Sequence, residues 1–192
     1  LIVSEFISLD GVIQAPGGAD EDTDGGFPHG GWTWPYWHDD IGAGFMQAME
    51  DADTFLLGRK TWQTHGAAFE PMPEGDPFGD IMKRMKKYVV STTLPSADLW
   101  RNSTIIRDNV VEEVRKIKAA PGKNIYLDGS SVLAHTLIQH NLVDEYSLLV
   151  YPLVLGSGKR LFPDGLRVNL KLIDTKTFPT GVTLMRYQPS QE

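Results

Sequence analysis

The chain has 192 residues, 41% hydrophobic and 22% charged, ordinary globular values that exclude disordered and fibrous architectures. Cysteine is absent, which removes disulfides, thiolate nucleophiles, sulfur-ligated zinc and iron–sulfur clusters together. Lys and Arg number 18 against 25 for Asp and Glu, a net charge of −7 that repels a phosphate polymer but leaves room for a small anion held by local cations and backbone N–H groups.

No apolar run reaches the roughly 20 residues of a membrane span. The opening residues lack the charged flank and cleavage site of a secretory signal. A single cytoplasmic domain over 1–192 is the expectation, with neither a membrane nor a nucleic acid as partner.

Leu1-Ile2-Val3-Ser4-Glu5-Phe6-Ile7 reads as a strand, and Ser8-Leu9-Asp10-Gly11 leaves it on an Asp-Gly turn signal. Residues 15–37 then change to Gly, Pro, Asp and aromatics. A connection of that length without periodicity is either disordered or a functional lid, and Trp32, Trp34, Tyr36 and Trp37 argue against disorder. Ile41, Phe45, Ala48, Met49 and Ala52 recur at helical spacing, with Asp39 or Asp40 as cap and first-turn acid. Thr54-Phe55-Leu56-Leu57 is a short apolar run ending in Gly58, the form of a strand buried on both faces, and a second helix is predicted to begin near Thr61.

Phe78, Ile81, Met82 and Met85 mark a short helix, and residues 88–92 and 104–106 read as strands. Asn109 with Glu112 three residues on resembles a capping box for a helix carrying Val110, Val114 and Ile117, stopped by Pro121-Gly122. Residues 124–128 form a strand running into Gly129-Ser130-Ser131 and a helix on Val132, Leu133, Leu137 and Ile138, with Asn141 as C-cap. Three strand-like runs follow without helices, 145–155, 170–178 and 182–188, the last two joined by a hairpin at Pro179-Thr180-Gly181. Alternating strands and helices followed by strands alone imply an α/β fold whose sheet is mostly parallel and ends antiparallel.

Three strand-to-helix corners carry groups suited to a nucleotide. At Gly58-Arg59-Lys60-Thr61-Trp62, backbone N–H groups, a hydroxyl and two cations converge as a phosphate requires, although a glycine turn with surface cations has the same letters. Ser91-Thr92-Thr93 offers hydroxyls at a strand end, or a turn satisfying its own backbone. Asp128-Gly129-Ser130-Ser131 combines a glycine for close approach with a serine able to cap the helix. Ligands in such sheets gather outside several adjacent strand ends, so the three corners together weigh more than each alone. Gly156-Ser157-Gly158-Lys159-Arg160 has the wrong spacing for a P-loop, and no Gly-x-Gly-x-x-Gly fingerprint, zinc-binding histidine pattern or hydrolase elbow occurs. Asp10 and Asp40 are candidates for proton handling, or equally a turn former and a helix cap. The aromatic cluster at 32–37 supplies a wall for a ring, a dimer contact or core packing, and Trp32 and Phe45 are the candidate substrate contacts.

These motifs resemble the dihydrofolate-reductase-like family, and most closely the reductase domain that acts on a pyrimidine in riboflavin synthesis. The resemblance runs over nearly the whole chain and is most specific at Gly58-Arg59-Lys60-Thr61-Trp62. Ser8-Leu9-Asp10-Gly11 is similar to that reductase's opening motif, and residues 152–162 to its late strand and Gly-rich turn. The resemblance implies a three-layer α/β/α domain with a mixed, mostly parallel sheet, and NADPH as cofactor. It assigns Arg59, Lys60 and Thr61 to the adenosine phosphates, Ser91 and Thr92 to the adenosine end, Gly129 and Ser130 to the pyrophosphate, and Ile13 and Gln14 to the nicotinamide. Asp128 stands where the family often has a first glycine, and Asp40 is not spaced as the pterin-binding carboxylate is. The implied protein is a homodimeric reductase of a small heterocyclic or carbonyl-like substrate; the alternatives are dihydrofolate reductase proper and a nucleotide-binding protein without turnover.

Overall fold

The computed structural model describes residues 1–190. They group into two compact units, one built from the middle of the sequence (Leu1 with residues 43–142) and one from its ends (residues 2–42 with the stretch from 143 onward).

In the terminal unit, β1 (Ile2–Ser8) lies parallel to β6 (Glu145–Tyr151), which runs antiparallel to β8 (Thr183–Pro189). β8 in turn pairs antiparallel with the edge strand β7 (Leu170–Thr177). The β7–β8 hairpin closes where the sequence placed it, with Gly181 at φ +85° and Phe178 N–H donating to the Val182 carbonyl at 2.8 Å. β6 stops at Tyr151, short of the expected 155, because Pro152 has no N–H to give to a ladder. The core of this unit comprises Val12, Phe27, Trp32, Ile41, Tyr151, Phe178 and Val182, so residues of the long connection fill it. That connection contains two 3-10 turns, Asp24–Gly26 and Trp34–Tyr36. It leads into α1 (Asp39–Glu50), which opens with both expected acids in its first turn.

In the central unit, β2 (Ala52–Gly58) runs parallel to β3 (Lys86–Val90) on one side and β5 (Asn124–Asp128) on the other, with β4 (Ser103–Ile106) parallel beyond β3. Thr54, Phe55, Leu56 and Leu57 are all buried, as a strand flanked on both edges and covered on both faces requires. α2 (Arg59–Phe69), α3 (Pro77–Arg84), α4 (Val110–Ala119) and α5 (Ser131–Gln139) connect the strands. α2 begins at Arg59, directly after Gly58 and two residues before the expected start.

Two caps depart from the sequence reading. Asn109 precedes α4 in a left-handed conformation (φ +49°) that turns its side chain away from the helix amides, so the expected capping box does not form; its Nδ2 bonds Asp108 instead. Ser130 precedes α5 at φ +58° and likewise makes no side-chain cap. α3 has the cap the sequence reading missed: Asp76 accepts from Gly79 N–H at 2.7 Å, with Pro77 at the first helical position.

Lys87, in mid-β3, is 1% exposed, and its Nζ donates to the carbonyls of Lys83 (3.0 Å) and Arg101 (3.1 Å) while lying 4.4 Å from the centre of the Trp100 ring. Burial pushes its ammonium down to about 7, outweighing attraction to Glu70. A neutral amine keeps two N–H bonds, enough for both carbonyls. Because the folded value lies below the ordinary 10.5, the unfolded chain binds the extra proton between them, and stability rises with pH across that window. Lys87→Met should abolish this rise, so that thermal unfolding from about pH 7 to 10 shows the wild type gaining on the variant as pH increases.

Candidate functional site

The first candidate surface is the corner of the central unit where β2 enters α2 and β5 enters α5. Gly129 and Ser130 are consecutive left-handed residues (φ +59° and +58°), which reverse the chain sharply after β5. The reversal brings Ser130 Oγ to 2.8 Å from Gly58 N–H, whose bond it accepts, and to 2.9 Å from Thr61 Oγ1, to which it donates. A Cβ at Gly129 would lie 3.0 Å from Thr61 Oγ1 and 3.1 Å from Thr61 Cγ2, so glycine is required there both for its φ and for space. Thr61 accepts from Ser130 and keeps its own hydroxyl hydrogen for another acceptor. Arg59 and Lys60 are exposed in the first turn of α2, whose N-terminal amides give that end partial positive charge. Ser131 opens α5 at the same corner.

Asp128, at the end of β5, pairs with a residue the sequence reading passed over. His65 Nε2, one turn on from Thr61 along α2, lies 2.9 Å from Asp128 Oδ2, both side chains being mostly buried. Only the helical spacing of Thr61 and His65 hinted at this. Ser91 Oγ accepts from Thr93 N–H (3.2 Å) and Leu94 N–H (3.0 Å), so it shapes its own turn while its hydrogen stays available; Thr92 beside it is exposed. Phe45 is half-buried and meets Phe78 at 5.8 Å between ring centres.

The second candidate surface is the loop pair of the terminal unit. Ser8 Oγ donates to Asp10 Oδ1 at 2.7 Å, Leu155 N–H gives to the same oxygen at 3.0 Å, and Gly156 N–H gives to Oδ2 at 2.8 Å. Burial would raise the Asp10 carboxyl, but these three donors hold it down at about 2. A carboxylate so held ties the turn after β1 to the segment after β6 and is ionised at neutral pH. Asp40 sits exposed in the first turn of α1, 3.7 Å from His38 Nδ1.

Gln14 is buried and fully engaged: Nε2 donates to the Asp22 and Asp24 carbonyls, each at 3.0 Å, and Oε1 accepts from Lys159 N–H at 3.0 Å. Ile13 N–H donates to the Lys159 carbonyl at 2.9 Å. Lys159 Nζ reaches back to the carboxylates of Asp22 and Asp24, the latter at 2.8 Å. Partial burial would lower its pKa, but the two carboxylates outweigh that and raise it. Trp32 is 7% exposed, with Nε1 donating to the Gln14 carbonyl at 2.8 Å and its ring edge-on to Tyr151, and it belongs to the core of this unit. Trp34 and Trp37 are the exposed indoles, 6.2 Å apart.

Among the described residues no group of three His, Cys, Asp or Glu side chains is placed to hold a metal ion, and no helix is long and apolar enough to cross a membrane.

The sequence matches the RibD C-terminal domain family over residues 1–184. It is 35% identical over 191 residues to the uncharacterized protein YyaP of Bacillus subtilis (strain 168), covering 97% of this chain and 93% of that one. Among solved structures, a candidate riboflavin biosynthesis protein of Shewanella sp. PV-4 superposes with a TM-score of 0.71 at 20% identity, covering 99% of this chain and 98% of that one. Dihydrofolate reductase from Enterococcus faecalis, complexed with NADP(H) and RAB-propyl, superposes with a TM-score of 0.63 at 15% identity, covering 99% and 96%. At these identities the likeness shows the fold, which is the dihydrofolate-reductase-like α/β fold with a mixed, mostly parallel sheet.

Asp10→Asn should cost about 1–2 kcal/mol at neutral pH, because one of the two backbone N–H donors loses its acceptor. Asp10 has its pKa depressed from 3.8 to about 2, so its contribution is full above 3.8 and fades as pH falls through about 2. Chemical denaturation across pH 2–7 should therefore show the variant's deficit closing at the acid end.

Proposed function

The chain belongs to the RibD C-terminal domain family, and from that premise we propose that it is an NADPH-dependent reductase acting on a small heterocyclic or carbonyl-like substrate. The observation that carries the reading is the corner built on Ser130. A hydroxyl with a hydrogen to give, two exposed cations, a helix N-terminus and a glycine with no room for a Cβ form a donor set that matches a nucleotide phosphate. The residues therefore fit the cofactor that the family resemblance implies.

On this reading Arg59, Lys60 and Thr61 hold the adenosine phosphates, with Gly129 and Ser130 at the pyrophosphate. Ser91 offers its hydroxyl hydrogen, and Thr92 its exposed side chain, to the adenosine end. Ser131 and Asp128 support the corner, Asp128 through its bond to His65. Ile13 and Gln14 serve the nicotinamide with backbone and shape, since the Gln14 side chain is spent on its own loop. Bound NADPH supplies the hydride; the chain's part is to orient the ring and keep water out. Asp10 and Asp40 are the residues assigned to proton handling, Asp10 as a carboxylate that would accept a proton. The exposed Trp34 and Trp37 give the long connection rings with which to cover a substrate.

The same proposal includes a cytoplasmic location and a homodimer. β7 is an exposed edge strand carrying Leu172 and Ile173, which are 45% and 38% exposed, and uncovered apolar edges of this kind invite pairing.

The cofactor reading is tested by fluorescence titration of the Arg59→Ala/Lys60→Ala double variant. Loss of both cations should weaken NADPH tenfold or more and NADH by far less, because the additional ribose phosphate is what they would pair; equal losses would remove them from that role. Following NADPH oxidation with pyrimidine, pteridine and dihydrofolate substrates separates the proposed reductase from dihydrofolate reductase proper and from a binding protein without turnover. Light scattering at tens of micromolar should give a dimer mass, and a monomer there would remove the homodimer.

A further inference from the structure

α2 meets the reversal after β5 through two side-chain bonds. Thr61 and His65 stand four residues apart along the helix, so they project from the same face. Thr61 Oγ1 accepts from Ser130, and His65 Nε2 lies 2.9 Å from Asp128 Oδ2. A carboxylate only accepts, so the hydrogen between the second pair is carried by His65 Nε2. The His65 ring is flanked by those of Phe69 and Trp100, whose centres are 5.3 and 6.3 Å away. The side chains of His65 and Asp128 are 16% and 24% exposed, so the pair is partly open to water yet poorly screened by it.

The first bond builds the anion corner, whereas the second restrains a group that works against it. Asp128 directly precedes Gly129 and Ser130, its carbonyl lies 3.4 Å from Ser130 Oγ, and a Cβ on Gly129 would touch Thr61. The corner thus carries a tethered anion beside the groups it offers to a phosphate: the Thr61 hydroxyl, the first amides of α2 and the exposed Arg59 and Lys60. A tethered anion competes for such donors at high effective concentration and repels a second anion at short range. His65 lies one turn further into α2 than Thr61, so its bond draws the carboxylate along the helix and away from that N-terminal end.

We propose that His65 is a positioning residue for cofactor binding: by holding the Asp128 carboxylate toward the middle of α2, it leaves the donors at the helix start to the phosphates of NADPH. This deepens the cofactor reading of the Ser130 corner and rests on it.

The test titrates wild type, His65→Asn, His65→Gln, Asp128→Asn and the His65→Asn/Asp128→Asn double variant with NADPH and, separately, with inorganic pyrophosphate, after thermal unfolding has shown which variants are folded. The asparagine amide stops short of the Nε2 position, so His65→Asn should weaken both ligands about five- to twentyfold, a deficit that narrows as added salt screens the charge. His65→Gln places an N–H near that position and should stay within about threefold of wild type. Asp128→Asn is neutral and still accepts from His65, and it too should stay within about threefold, as should the double variant, in which the competing charge is gone. Unchanged affinity in His65→Asn, a deficit that ignores salt, or a double variant as weak as His65→Asn would make the bond merely structural and overturn the proposal. Asp128→Asn weakened tenfold or more would overturn it as well, because the carboxylate would then be a ligand contact; that variant decides alone if His65→Asn does not fold. If wild type binds pyrophosphate but not NADPH, the cofactor reading falls and the pyrophosphate series still decides the role of His65. A wild type that binds neither overturns both.

Discussion

The central unit depends on one hydroxyl. Ser130 Oγ accepts from Gly58 N–H and donates to Thr61 Oγ1, so a single oxygen fastens the end of β2, the first turn of α2 and the reversal after β5. The fastening is available only because the backbone takes two successive left-handed steps, and those steps are open to Gly129 and tolerable for a small polar Ser130. Satisfying the polar groups of the corner internally would normally close it to ligands. Here the chain of donors runs one way, from Gly58 through Ser130 to Thr61, and ends on a hydroxyl with its hydrogen still to give. The arrangement is rigid in its frame and keeps one hydroxyl hydrogen at its tip.

The terminal unit solves a different problem, holding a long connection rich in glycine and acids in one place. It uses charge that would otherwise repel itself. Asp22 and Asp24 close on Lys159, Asp10 takes two backbone N–H groups from the segment after β6, and Gln14 pins the carbonyls beside the two acids. Part of the chain's acidity is thus spent inside its own loops. Asp10, Asp22 and Asp24 all act as fasteners in this unit.

The elements that periodicity dictates were legible in the sequence. The buried run of β2, the bounds of β5 and the β7–β8 hairpin follow from apolar continuity and turn chemistry, and the corner at Gly58 was recognisable from its letters. What was hidden depends on backbone sign or distant pairing. Asn109 has a capping residue's identity but a left-handed φ, which its spacing to Glu112 could not reveal. Trp32 reads as one of a cluster of surface aromatics, yet its indole N–H finds the Gln14 carbonyl and so turns inward while Trp34 stays out. His65 and Asp128 are far apart in sequence and meet only because α2 and β5 do. Lys87 shares its strand face with buried Val89; alternation pointed inward, but the residue type pointed outward, and two carbonyls decided it.

In the long connection, fastening and filling are done by different residues. Gln14, Asp22, Asp24 and Lys159 supply the anchorage, and Phe27 and Trp32 supply the bulk. Between them Gly25 and Gly26 stand exposed, both left-handed, with nothing within 4 Å of where a Cβ would be built. That tip bears no weight from either side, so it is the natural place for evolution to lengthen the chain, and for an engineer to splice in a reporter or an affinity handle, with the anchorage on both flanks left whole.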